Sequence, residues 1–129
     1  MRLLLDTHVW IWYLIGSSSL ASEIRSAIEA DENEVFLSPI SVWETLVLAA
    51  KGRLELQPDP TMWVRSALER FPVIEAPLNH EIAVISRTIA LPHPDPADRF
   101  LAATAQVYKA RLVTYDLRLV NSRAVDTYP

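Results

Sequence analysis

Four short apolar runs recur along the chain, and segments of helical spacing fill the gaps between them. The runs are Leu3-Leu4-Leu5, Val35-Phe36-Leu37, Val73-Ile74-Glu75 and, after Arg111, Leu112-Val113-Thr114. Runs this short and this apolar suit strands buried on both faces. Strands that alternate with helices pair in parallel, because each crossover needs a helix to bring the chain back. The pattern predicts an α/β sandwich of three layers, α/β/α, around a mostly parallel sheet of four to five strands. The fifth strand is expected over 123–126. With 129 residues the chain is the size of one domain, taken as 1–129, and long enough to bury a solid core.

Proline and glycine punctuate this plan. There are nine prolines and only two glycines, which argues against an all-β fold built on many tight turns. A helix over 8–15 is closed by Gly16. Ser17, Ser18 and Ser19 offer an N-cap for a helix over 20–30, in which Leu20, Ile24, Ala27 and Ile28 share a face. Ser38-Pro39 is a cap followed by proline at the first helical position, and that helix runs to about 51, where Gly52 stops it. Asp59-Pro60 opens another, ending before Pro72. Asn79 caps a helix over 80–90, and Asp95-Pro96 starts one that reaches about 109. The proline-rich stretch at 91–98 is the expected functional loop, since its prolines stiffen it without giving it a core.

Composition removes several classes of function. The chain has no cysteine, so disulfides and zinc–thiolate sites are excluded. No apolar run is long enough to span a bilayer, and Asp6 interrupts any signal-peptide reading, so a cytoplasmic protein is expected. A formal net charge of −4 argues against a passive nucleic-acid-binding module. It argues less against a nuclease, because carboxylates that hold metal add negative charge and the bound ion locally reverses it.

The placement of acids then matters. Asp6 directly follows the first strand and Asp116 the fourth. In parallel α/β sheets, ligands bind beyond the carboxyl ends of strands, where the strand order reverses. Each acid also fits as the cap of the helix or turn that follows. Glu44 lies among Ile40, Val42, Trp43, Leu46, Val47, Leu48, Ala49 and Ala50. A helix apolar on nearly every face is expected to be buried, and a glutamate there is costly unless paired or bound to metal. The opposing reading puts it on a narrow polar stripe with Ser41, Thr45 and Lys51. In Asp95-Pro96-Ala97-Asp98, Asp95 fits the N-cap and Asp98 the first turn, near the positive helix end. Asp98 faces inward toward the site in the same arrangement. Four carboxylates from separate elements suit phosphodiester hydrolysis, in which Mg²⁺ or Mn²⁺ held by carboxylates activates water and stabilises the attacking and leaving oxygens.

These residues, in this order, resemble the PIN-domain nucleases, and most closely the VapC-type toxins of bacterial toxin–antitoxin pairs. The likeness rests on Leu4-Leu5-Asp6-Thr7-His8, Ser38-Pro39-Ile40-Ser41-Val42-Trp43-Glu44, Asp95-Pro96-Ala97-Asp98-Arg99 before Leu101-Ala102-Ala103-Thr104-Ala105, and Leu112-Val113-Thr114-Tyr115-Asp116. It covers essentially the whole chain and implies a PIN-like fold. It implies Asp6, Glu44 and Asp98 as an acidic triad, Asp116 as a fourth catalytic and metal-binding acid, and Thr7 or Thr114 in support. It further implies Mg²⁺ or Mn²⁺ as cofactor, RNA as substrate, a homodimer, and a cognate antitoxin protein that blocks the cleft. Arg87 and Arg99 are read as surface ion-pairing residues with phosphate contact as the alternative.

The remaining chemistry-bearing residues read as structural. A metal-free ribonuclease needs an acid and a base, typically a histidine pair. His80 fits the first turn of an ordinary helix, His8 lies just past Asp6, and His93 sits in the proline loop within reach of the site. The chain holds no P-loop and no Gly-x-Ser-x-Gly elbow. Trp10 and Trp12 point to different faces of one helix, one into the core and one toward a contact, while Trp43 and Trp63 are expected in the core. A receiver-like signalling domain would need adjacent acids after the first strand and a lysine after the last, where this chain has Asp6-Thr7 and no such lysine. A non-catalytic binding protein of the same fold and a stand-alone RNA-processing nuclease remain as alternatives.

Overall fold

Leu3, Leu4 and Leu5 are at most 1% exposed, as befits the central strand of a covered sheet. The computed structural model describes residues 1–92 and 95–129, so His93 lies outside the described residues. In chain order the elements are β1 (Arg2–Leu5), α1 (Thr7–Ile15), α2 (Ser22–Glu29), β2 (Glu34–Leu37), α3 (Pro39–Ala50), α4 (Pro60–Arg70), β3 (Ile74–Glu75), α5 (His80–Thr88), α6 (Pro96–Tyr108), β4 (Arg111–Val113), α7 (Leu117–Val120) and β5 (Thr127–Tyr128). Among the described residues the strands form one sheet in the order β3-β2-β1-β4-β5, with every pairing parallel.

Alternation along the strands builds the three layers. Leu3, Leu5, Leu37 and Val113 face one side, where Val9, Trp10 and Ile11 of α1, Ile24 and Ala27 of α2, and Val64 and Ala67 of α4 cover them. Leu4, Phe36 and Leu112 face the other, under Leu101, Ala102 and Ala105 of α6 and Leu119 of α7. Full burial of each such leucine contributes about 1.5–3 kcal/mol. The chain moves outward from β1 through β2 to β3, then returns to the opposite side of β1 with β4. Strand order therefore reverses between β1 and β4. Asp6 and Asp116 follow these two strands.

Helix α3 departs from expectation in an informative way. Its buried residues are the polar ones: Ser41 and Thr45 are fully buried, whereas Trp43 is 57% exposed. The apolar residues around it are only partly covered. The helix packs against α1 and α4 on one side and α6 on the other, so it bridges both helical layers. Its inward face meets Thr7, a polar neighbour, and Thr45 satisfies itself by donating to the Ser41 carbonyl at 2.8 Å. Apolar content thus misreports which side of α3 is inside, and the polar stripe around Glu44 exists but points inward. Trp63, by contrast, packs edge-on against Trp10 as a core residue does.

Two boundaries and one element also differ. No serine caps α2: the cap residue is Ala21, extended and without a side-chain bond, because Leu20 is drawn into the core and the Ala21 N–H donates to the Tyr115 hydroxyl. Ser17 instead accepts from the Ser19 N–H in a turn. The last strand lies at Thr127–Tyr128, after the expected 123–126, since 125 packs its valine into the core and pairing with Leu112 begins at Thr127. The short helix α7 was not anticipated as an element. Arg99 donates to the carbonyls of Ser86, Ile89 and Leu91, tying the end of α5 and the following loop to α6.

Candidate active site

Three helix starts carry an acid in the capping position, Asp6 after β1, Asp116 after β4 and Asp95 before α6, whereas the start of α3 after β2 is capped by Ser38. The Asp6 carboxylate accepts from the Thr7 N–H at 2.7 Å, Asp95 from the Ala97 N–H at 3.0 Å, and Asp116 from the Arg118 N–H at 2.9 Å. The capping reading of these residues is therefore correct. It does not compete with a site, because capped helix starts are where this fold gathers its open strand ends. Asp6, Glu44, Asp95, Asp98 and Asp116 all line one cavity of about 420 Å³ with Thr7, His8, Trp12, Tyr115 and Arg118.

On the inner side the carboxylates are held by hydroxyls. The Thr114 hydroxyl donates to Asp6 Oδ2 at 2.6 Å and accepts from the Asp116 N–H at 3.0 Å, so it links the ends of β1 and β4. The Thr7 hydroxyl lies 2.5 Å from Glu44 Oε1 and 3.1 Å from Ser41 Oγ. A hydroxyl has one proton, so with Thr7 donating to the carboxylate, Ser41 donates to Thr7. Glu44 thus reaches the cavity from α3 through a chain of buried hydroxyls. Ser41 is a member that the sequence reading passed over except as part of a polar stripe. Its spacing of three from Glu44 on a helix put it on the same side.

On the outer side charges meet directly. Arg118 donates from Nε to Asp116 Oδ1 at 3.2 Å and from Nη2 to Oδ2 at 2.9 Å. Its Nη2 also lies 3.9 Å from Asp98 Oδ2. Asp98, in the first turn of α6, is 9% exposed. Burial, followed by the negative charges of Asp95, Asp6, Asp116 and Glu44, pushes its carboxyl up to about 7. Burial also raises Asp6, opposed by the bonds from Thr114 and the Thr7 N–H. Glu44 is raised by burial and by Asp6 and Asp95, against the bond from Thr7. Crowded acids that resist ionisation are a common mark of functional sites.

The donor set is all oxygen, which suits a hard cation such as Mg²⁺ or Mn²⁺ better than a thiophilic metal. As they stand, no three Asp, Glu or His side chains among the described residues are arranged to hold one ion. Mg²⁺ needs no such cage, because it binds through one or two carboxylates and fills its octahedron with water and substrate phosphate. The carboxylates fit the ion in chemistry and in crowding, since a dication would relieve the repulsion that adds to burial in raising Asp98.

Aromatic rings form one wall. His8 and Trp12 lie with ring centroids 5.9 Å apart, and Trp12 meets Tyr115 edge-on at 5.3 Å. Trp10 points the other way and is 1% exposed in the core. The split between these two tryptophans follows from their spacing on α1, but only the fold assigns Trp12 to the cavity.

The sequence profile of the PIN domain matches residues 3–124. Ribonuclease VapC22 of Mycobacterium tuberculosis is 32% identical over 123 residues, covering 93% of this chain and 91% of its own. A toxin–antitoxin complex from Klebsiella pneumoniae contains a chain similar at a TM-score of 0.64 and 25% identity, covering 97% of this chain and 96% of that one. A DNA-bound VapBC from Salmonella typhimurium is similar in fold, with a TM-score of 0.73 at 19% identity over 99% of this chain and 97% of that one.

Proposed function

The chain belongs to the PIN-domain family, and on that premise we propose that it is a metal-dependent endoribonuclease toxin, neutralised by a cognate antitoxin. The observation that carries the reading is the convergence of Asp6, Glu44, Asp98 and Asp116, from four separate parts of the chain, on one cavity. RNA as substrate is supported by the ribonuclease relative, and an antitoxin partner by the toxin–antitoxin complexes of similar fold.

In this reading the four acids are the catalytic and metal-holding residues, and Mg²⁺ or Mn²⁺ bound there lowers the pKa of water and stabilises charge on the phosphate oxygens. The chain's own residues supply position. Thr114 fixes Asp6 in one rotamer across the β1–β4 junction, and Thr7 fixes Glu44. With its carboxyl raised to about 7, chiefly by burial, Asp98 is about half protonated at neutral pH in the metal-free chain, and it would give up that proton on holding a cation. Hydrolysis adds water oxygen to phosphorus, breaks the phosphorus–oxygen bond to the leaving ribose, and returns a proton to that ribose oxygen.

A homodimer is part of the proposal. Trp43 stands exposed on α3, and Pro39 and Val42 of the same helix line a second, more apolar cavity with Leu37, Leu68 and Val73. No helix among the described residues is long and apolar enough to cross a membrane. A cytoplasmic location belongs to the proposal as well.

The test is Asp6→Asn, which keeps an oxygen at the α1 cap. Cleavage of RNA should fall by at least about a hundredfold, given the several kcal/mol that metal-held charge stabilisation supplies. Calorimetric titration with Mn²⁺ should show weakened binding. Cleavage at the wild-type rate would end the carboxylate mechanism.

A further inference from the structure

The cavity poses a charge problem that one residue answers. Five carboxylates line it, yet it must receive a polyanion. Among the described residues that line it, Arg118 is the one lysine or arginine. Its guanidinium spans both oxygens of Asp116 and approaches Asp98 at the cavity mouth. The side chain is 61% exposed, whereas those of Asp116 and Asp98 are 25% and 13% exposed. Arg118 is therefore anchored at its tip and free along its stem. It sits on α7, where the Leu119 and Val120 N–H groups donate to the Asp116 carbonyl independently of the carboxylate, so release of the guanidinium leaves those backbone bonds in place.

We propose that Arg118 is a positioning residue that exchanges partners: it holds Asp116 until a divalent cation takes that carboxylate, and then pairs with an RNA phosphate at the cavity mouth. The inference rests on the metal-nuclease reading above. Both Asp116 oxygens are engaged by Arg118, so a cation that ligates Asp116 must displace the guanidinium from at least one of them. Exposed ion pairs are weak in water, so the exchange is easily driven by a dication. A freed guanidinium matches a phosphate in shape, since its planar fork presents parallel N–H donors. The same side chain thus masks a carboxylate in the metal-free protein and, once RNA arrives, adds the one positive side chain of the cavity lining to the charge of the cation.

Two affinities should consequently move in opposite directions. In Arg118→Ala, Mn²⁺ measured by calorimetry on protein alone should bind about two- to fivefold more tightly than in wild type, as loss of a competing exposed pair allows. The KM for RNA in saturating Mn²⁺ should rise about fivefold, with kcat much less affected. The slope of log KM against log salt should become shallower by roughly 0.7, the value for one lost contact to a single strand. Arg118→Lys should restore the salt slope but not the full KM, because a point charge lacks the fork. A circular-dichroism melt of each variant checks folding, and Arg118→Gln serves if the alanine variant melts early. Equal or weaker Mn²⁺ binding in Arg118→Ala, or an unchanged salt slope, would overturn the exchange. If wild type itself binds no Mn²⁺, the metal reading falls and the exchange falls with it. If wild type binds Mn²⁺ and the variants match it, only the exchange fails.

Discussion

The two walls of the acidic cavity solve the same problem by different means. On the inner wall, Asp6 and Glu44 are oriented by Thr114 and Thr7, neutral donors that are themselves buried. On the outer wall, Asp116 is oriented by an exposed arginine, and Asp98 is raised to about 7 by burial first and then by the like charges around it. Neutral hydroxyls fix a carboxylate without cancelling its charge, so the inner acids stay oriented whether or not a cation is present. An arginine cancels charge and must be displaced. The inner wall reads as preorganised and the outer wall as responsive. Preorganised groups cost little to use at the moment of reaction, and responsive ones couple the site to its ligands.

This contrast can be broken at several points. The largest expected effect is on turnover. Glu44→Gln and Asp116→Asn should each lower RNA cleavage by at least about a hundredfold if both walls serve one metal centre. A fluorogenic RNA assay would show it, and near-wild-type cleavage by Asp116→Asn would confine the chemistry to the inner wall.

Stability should respond in the reverse sense. Thr7→Val keeps the shape of the side chain but leaves Ser41 and Glu44 without their shared partner. Urea unfolding should register a loss of about 1–3 kcal/mol, the cost of stranding buried polar groups. Arg118→Ala should leave the unfolding midpoint unmoved. Comparable losses in both variants would erase the distinction between the walls.

A smaller effect separates the walls by pH. Asp98 binds its proton more tightly in the folded chain, at about 7 against an ordinary 3.8. The stability this contributes is complete below about 3.8 and is lost as pH rises through about 7. In EDTA, the melting temperature should therefore carry a downward component across that window. Asp98→Asn should flatten it. A wild-type profile that rises steadily to pH 7 and is unchanged by the substitution would contradict the crowding of the outer wall.

The smallest signal is proton release. At pH 7, Mn²⁺ binding should expel on the order of half a proton from Asp98, seen as a dependence of the calorimetric enthalpy on buffer ionisation. The dependence should vanish in Asp98→Asn. Its persistence there would place the titrating group elsewhere.

Much of this molecule was written in local pattern. The apolar runs marked β1, β2 and β4, and Ser38-Pro39, Asp59-Pro60 and Asp95-Pro96 marked helix starts, because caps and fixed φ angles act within a few residues. Asp6 and Asp116 stood out because a parallel sheet places its open edge after its strands. Local pattern failed where a neighbour distant in sequence decided the outcome. Ser17, Ser18 and Ser19 look like better caps than Ala21, yet burial of Leu20 and the hydroxyl of Tyr115 set the start of α2.

What the sequence determined by itself was the elements other than α7, the parallel sheet and the acids as candidates. Period and capping are properties of adjacent residues, so no fold was needed to read them. What only the tertiary structure decided was the company each acid keeps. Glu44 was singled out because its helix looked apolar throughout, but its place in the cavity comes from Thr7 and Ser41, 37 and 3 residues away. Asp98 read both as a first-turn acid near the positive helix end and as a site residue, and only packing set Asp95, Asp6, Asp116 and Glu44 around it. Arg118 looked like nothing at all. Its meaning lies in distances of a few ångströms to Asp116 and Asp98, and electrostatics at that range depends on packing that one-dimensional order does not contain.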